Sequence, residues 1–273
     1  MARSRRHKSA PALLETSTRR PPVRSAPADG ADLQRFRSRA RERGVNPVLH
    51  RLARAVLVPF FRVYFRLQCV GIEHLPRSGP LLVAANHRSF LDPFVIGVLT
   101  RRPIYYVAKR ELFANRVQAR LLNALGAFPV DRGAGDEQAL ATARAILARG
   151  DCVVIFPEGT RVRRGPLGAP RRGVGRLALE TGARVVPVAV IGTDAVRRGW
   201  RVRPRKVRVR CGAALGFPTA ERPSPGLAAA VTERVWARVG LQWEWLGGAP
   251  RGGFETAYQP RRDAQAREEA RAA

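Results

Sequence analysis

The sequence predicts an α/β fold, a mixed and largely parallel sheet flanked by helices, with an amphipathic helical segment on its N-terminal side. Three observations predict it. At 273 residues with 45% apolar content, the chain can bury one substantial core. From Cys69 onward, short apolar runs alternate with segments of helical period, the pattern of strands joined by crossover helices. Several runs end in charged or polar residues, as expected where an open sheet gathers functional groups at its strand C-termini.

Residues 1 to 45 are rich in Arg, Ser, Pro and Ala with few large apolar groups, and are expected to form a disordered basic tail. The opening "MARSRRHKSAPALLETSTRRPP" has the basic residues of a signal peptide but only Ala10 to Leu14 as an apolar run, so export is not expected. In residues 46 to 68, Arg51, Arg54, Arg62 and Arg66 fall within roughly a third of a helix circumference, and Val, Leu, Phe and Tyr cover the rest. Pro59 is expected to kink or divide this segment. A spanning helix needs about 18 nearly uncharged residues, which no stretch supplies. Two placements are open: among lipid headgroups with Phe60, Phe61 and Phe65 in the apolar phase, or packed on the core with one solvated Arg face.

The principal domain is expected over residues 69–250. Its predicted order is strand 81–85, helix 93–100, strand 104–109, helix 116–126, strand 127–131, helix 136–150, strand 152–156, helix 173–182 and strand 185–191. Strand 206–212 and helix 227–241 complete it, and residues 251–273 read as a second disordered tail.

The formal net charge of +29 calls for an acidic partner, and charge alone does not choose among nucleic acid, anionic membrane and acidic protein. Few aromatics and no recognised binding module argue against nucleic acid. Cys69, Cys152 and Cys211 are widely spaced in apolar or strand-like stretches, without a CxxC or a disulfide framework, and read as buried thiols in a reducing compartment.

Three strand ends carry polar chemistry: Asn86-His87 with Asp92, Asp131-Arg132, and Glu158-Gly159-Thr160-Arg161. On one continuous helix the offset from His87 to Asp92 turns about 500°, so the pair can meet only across a turn. Asp92-Pro93 offers one, reading as an N-cap followed by proline at the first helical position. A carboxylate bonded to the imidazole would fix its tautomer and leave the other nitrogen to take a proton from a hydroxyl. Alternatively, Asp92 only caps its helix and His87 is a solvated loop residue. No G-x-S-x-G elbow appears, no cysteine has a nearby His, and His7, His50, His74 and His87 lack ligand spacing, so neither a protein nucleophile nor a zinc site is expected. Arg161 and Arg132 at their strand ends can grip a phosphate or pair locally with Asp131 or Glu158.

Together these residues resemble the glycerolipid acyltransferase family, typified by 1-acylglycerol-3-phosphate acyltransferases. The match covers roughly residues 70 to 215 as four ordered boxes: "NHRSFLD" (86–92), "GAFPVDR" (126–132), "FPEGTR" (156–161) and "VVPVAVIGT" (185–193). The resemblance implies His87 as general base, Asp92 as its orienter, and Arg132, Glu158, Gly159 and Arg161 as binders of the substrate phosphate. It also implies a lysophospholipid acceptor, acyl-CoA or acyl-carrier protein as donor with no bound cofactor, and a phosphatidic acid product. The enzyme would sit on a membrane phospholipid surface, peripheral or monotopic on the cytoplasmic face. Val162 stands where the third box usually continues with Ser, and Arg171-Arg172-Gly173 where a Lys-Gly is usual, which leaves the headgroup open.

Overall fold

The computed structural model describes residues 30–130, 137–198 and 201–250. The helices are α1 (Gly30–Glu42), α2 (Pro47–Val63), α3 (Asp92–Gly97), α4 (Arg116–Ala124), α5 (Glu137–Ala148), α6 (Gly173–Thr181) and α7 (Pro225–Trp245). The strands are β1 (Gln68–Val70), β2 (Leu81–Ala85), β3 (Ile104–Lys109), β4 (Ala127–Val130), β5 (Cys152–Ile155), β6 (Arg184–Ile191), β7 (Arg197–Arg198), β8 (Arg201–Val202) and β9 (Arg208–Cys211). Seven strands form one sheet in the order β1-β9-β6-β2-β5-β3-β4, and β7 pairs with β8 as a separate ribbon. All neighbours in the sheet are parallel except β6 with β9. The sheet is therefore mixed and largely parallel, as predicted.

Strand β2 lies between β5 and β6, aligned as Leu81↔Cys152 and Leu81↔Arg184. All five of its residues are buried, because helices cover both faces of the sheet. Leu82 and Ala84 enter a cluster with residues of α1, α5, α6 and α7, while Leu81, Val83 and Ala85 enter a second with α2 and α3. This three-layer arrangement brings the C-terminal ends of β2, β5 and β6 side by side.

The N-terminal region departs from expectation in two places. Residues 30–42 are not tail: they form α1, with Leu33, Arg37 and Ala40 buried. Arg37 Nε donates to Pro129 O at 3.2 Å, Asn123 Nδ2 donates to Phe36 O at 3.0 Å, and Arg149 Nη1 donates to Ala40 O at 3.0 Å. The helix is docked through guanidinium and amide bonds to backbone, so it lacks the wide apolar stripe that marks a packed helix in sequence. The remaining tail residues, 1–29 and 251–273, lie outside the described residues.

The second departure concerns α2. It is one helix with Pro59 inside it, started by Asn46, whose Oδ1 accepts from Val48 N at 3.1 Å and Leu49 N at 3.0 Å. Phe61 and Phe65 are fully buried in the protein core, not directed outward with Phe60. Arg54 likewise turns inward and donates to the carbonyls of Gly97 and Thr100. The exposed side carries Val48, Leu52, Val56 and Val63, each more than 60% accessible, together with Arg51 and Arg62. Among the described residues no helix is long and apolar enough to cross a membrane.

This placement separates two substitutions. Phe61→Ala should lower unfolding free energy by roughly 3–5 kcal/mol through a core cavity, whereas Leu52→Ser should stay within about 0.5 kcal/mol. Urea denaturation of both variants checks this, and equal effects would contradict the assigned faces.

Candidate active site

The site starts where β2 leaves the sheet. Asn86 Nδ2 donates to Val190 O at 3.0 Å and Val190 N donates to Asn86 Oδ1 at 2.7 Å. Its carboxamide thus bonds β6 as a further peptide unit would, and the backbone is released to turn at His87. This gives the fourth sequence box a position: it is β6, the strand that anchors the first box.

The turn closes on Asp92. Its Oδ2 accepts from His87 Nδ1 at 2.9 Å, Arg88 N at 2.7 Å and Ser89 N at 2.8 Å, and the residue is wholly buried. Oδ1 is buried and makes no hydrogen bond, so all the bonding of this carboxylate is directed at the His87 loop. Asp92 is the first residue of α3 and Leu91 precedes it, with no side-chain cap on that helix. The carboxylate therefore gathers the loop before it and is not the N-cap that the sequence suggested.

A carboxylate accepts but does not donate, so Nδ1 carries the hydrogen and Nε2 presents a lone pair. The imidazole stacks on Phe156 with centroids 4.1 Å apart and planes at 19°, which fixes its tilt. The backbone of His87 is held from the β5 side: its N–H donates to Glu158 Oε2 at 2.7 Å, and its carbonyl accepts from Val162 N at 2.9 Å.

Glu158 is where the structure departs from the predicted phosphate-binding set. It is buried, and its second oxygen, Oε1, accepts from Gly168 N at 2.8 Å. Burial pushes its carboxyl above the usual range, against the pull of the Gly168 and His87 amides and of the Arg88 charge. An acceptor consumed by two backbone amides orders the loop, and its charge would repel a phosphate. Gly159 makes the bend with φ +66, and a Cβ there would come within 2.6 Å of Arg171 Nε, so glycine lets that arginine lie across the loop.

Arg161 is exposed and makes no hydrogen bond or ion pair among the described residues, so its guanidinium is not committed to Glu158. Arg132 and Asp131 lie outside the described residues. Sequence reasoning missed Arg88, the residue next to the imidazole. Its buried guanidinium donates to Val162 O at 2.8 Å and Gly165 O at 2.7 Å and lies 4.4 Å over the Trp243 ring, tying the His87 loop to the loop after β5 and to α7. The cysteines are unsuited to nucleophilic work, since burial pushes Cys69 up to about 11 and Cys152 and Cys211 up to about 12.

A family profile described as acyltransferase matches residues 66–191, spanning the first, second and third boxes, all of β6 and most of the fourth box. The chain is 32% identical over 170 residues to the 1-acyl-sn-glycerol-3-phosphate acyltransferase of Bacillus subtilis, covering 61% of this chain and 83% of that one. The chain belongs to the glycerolipid acyltransferase family. It is also 30% identical over 136 residues to the chloroplastic 1-acyl-sn-glycerol-3-phosphate acyltransferase of Arabidopsis thaliana, where the match covers 49% of this chain and 38% of that protein. The fold resembles the crystal structure of the acyltransferase PlsC from Thermotoga maritima, with a TM-score of 0.56 and 24% identity over 81% of this chain and 89% of that one. Within the family frame, the structure gives the Glu of the FPEGTR box a backbone-ordering place beside the base.

A raised carboxyl value has a stability consequence with a definite sign. The contribution is fully present below the value of the unfolded glutamate, about 4.3, and is lost as pH rises through the raised folded value. The difference in Tm between wild type and Glu158→Gln should therefore shift in favour of the wild type as pH is lowered from neutral toward about 4. A pH-independent difference in calorimetry would show that Glu158 is not desolvated as placed.

Proposed function

We propose that the chain catalyses acyl transfer from an acyl thioester, acyl-CoA or acyl-carrier protein, to the free hydroxyl of 1-acyl-glycerol-3-phosphate, giving phosphatidic acid. The observation that carries this is the buried Asp92–His87 pair at 2.9 Å, which leaves Nε2 as the basic atom at the strand ends. In the proposed step the acceptor hydroxyl gives its proton to Nε2 as its oxygen bonds the thioester carbonyl carbon. The tetrahedral oxyanion then collapses, the C–S bond breaks, and the leaving thiolate takes the proton from the imidazolium. Asp92 stabilises that imidazolium without accepting the proton. No acyl-enzyme is required, in keeping with three thiols that burial holds in the neutral form.

The acceptor's phosphate is assigned to Arg161, with Arg132 as its expected partner from the second sequence box, and Gly159 keeps the approach open beside Arg171. Arg171-Arg172-Gly173 stands where a Lys-Gly is usual, and Arg171 keeps a cation over the bend. The acceptor and product are lipids, and the exposed apolar face of α2 with half-exposed Phe90 and Phe94 supports peripheral docking on a bilayer. Arg51 and Arg62, exposed along the same helix, would meet headgroup phosphates.

Purified protein with acyl-CoA and a panel of lysophospholipids tests the assignment. His87→Ala should lower kcat by about two to four orders of magnitude with vesicle binding retained. Arg161→Ala should raise KM chiefly for phosphate-terminated acceptors. Full activity in His87→Ala would overturn the mechanism, and an unchanged KM in Arg161→Ala would remove the phosphate assignment.

A further inference from the structure

Away from the His87 loop, a cleft of about 750 Å³ opens between α1, the start of α2, and α4. Its walls carry Arg35, Arg39, Arg43, Arg116 and Arg120, and its floor is apolar, with Phe36 and Phe113. None of these five arginines makes a side-chain hydrogen bond or ion pair among the described residues. Asp32 and Glu42 line the same cleft and form no ion pair with them. Arg39 Nε is buried without a partner. Like charges lining one cleft repel one another, and a buried N–H left unbonded is destabilising. The complementary ligand is an anion with several acceptor oxygens, which arginine grips through paired N–H bonds.

The surroundings indicate what carries that anion. Val117 and Leu121 project from α4 at 75% and 49% exposure, and Val48 at 70% follows the start of α2, beside Leu49 on the cleft wall. A small solvated anion has no use for an apolar floor and rim, whereas an amphiphile uses both. We propose that the cleft holds the phosphate headgroup of one anionic membrane phospholipid, whose acyl chains leave across Leu121 and Val117. The site is separate from catalysis, since none of its lining residues belongs to the His87 loop or to residues 156–168. It would seat the enzyme in one orientation and favour membranes rich in anionic lipid.

Titration calorimetry of the full chain with dihexanoyl-phosphatidylglycerol below its micellar concentration tests this. Saturable binding is expected, weakened on the order of tenfold or more in Arg39→Gln/Arg120→Gln. Because Arg39 is partly buried, Arg116→Gln/Arg120→Gln on α4 serves as a second variant and should lose affinity likewise. Arg184→Gln/Arg222→Gln, which removes the same charge elsewhere, should bind as wild type. Dihexanoyl-phosphatidylcholine and inorganic phosphate should bind much more weakly. The proposal fails if no saturable binding occurs, if the control variant loses as much affinity, or if inorganic phosphate binds as well as the lipid. It also fails if affinity is lost in Arg161→Ala but kept in both cleft variants, which would place the lipid at the catalytic mouth.

Discussion

Everything at the site depends on one oxygen, Oδ2 of Asp92, which accepts three hydrogen bonds from the five-residue turn that precedes it. Charge-assisted bonds of this kind contribute roughly 1.5–3 kcal/mol each, and burying a carboxylate costs several kcal/mol. The two sides nearly cancel, so the arrangement adds little to stability. What it adds is position. The two amide bonds fold the turn and hold the carboxylate on Nδ1, so the third bond can set the tautomer. Losing the charge would release the loop and the imidazole together.

The sheet makes that turn possible by supplying anchors on both sides of β2. On one side Asn86 is bonded to the backbone of Val190 in β6. On the other, Glu158 at the end of β5 accepts the His87 amide, and Val162 donates to the His87 carbonyl. The buried carboxylates divide the work: Asp92 holds the ring, and Glu158 holds the backbone that carries it. Arg88 closes the assembly by bonding the loop after β5 and stacking on Trp243 of α7. Parallel pairing matters here because it brings the C-terminal ends of neighbouring strands to one edge.

Much of this was legible in the sequence. The strands β2 and β5 read clearly because burial on both faces makes them continuous apolar runs bounded by turn residues. The first, third and fourth boxes marked the ends of β2, β5 and β6, which lie side by side. Helix α1 was not legible because Arg37 and backbone carbonyls dock it, and arginine in sequence suggests solvent. The faces of α2 were hidden for the opposite reason: large apolar residues lie on both, and only the fold distinguishes buried Phe61 and Phe65 from exposed Val48, Leu52 and Val56. The place of Glu158 depends on amides 71 and 10 residues away, a link that no local pattern encodes. Arg88 is similar, with its partners in a loop and a helix far along the chain.

The most direct test of the central claim is the tautomer of His87, read from its side-chain ¹⁵N shifts in histidine-labelled protein. The neutral ring should be protonated on Nδ1 and unprotonated on Nε2, and Asp92→Asn should disturb that preference while wild-type Asp92 maintains it. A neutral ring protonated on Nε2 would remove the basic lone pair from the position where the acceptor hydroxyl must be deprotonated, and would contradict the account.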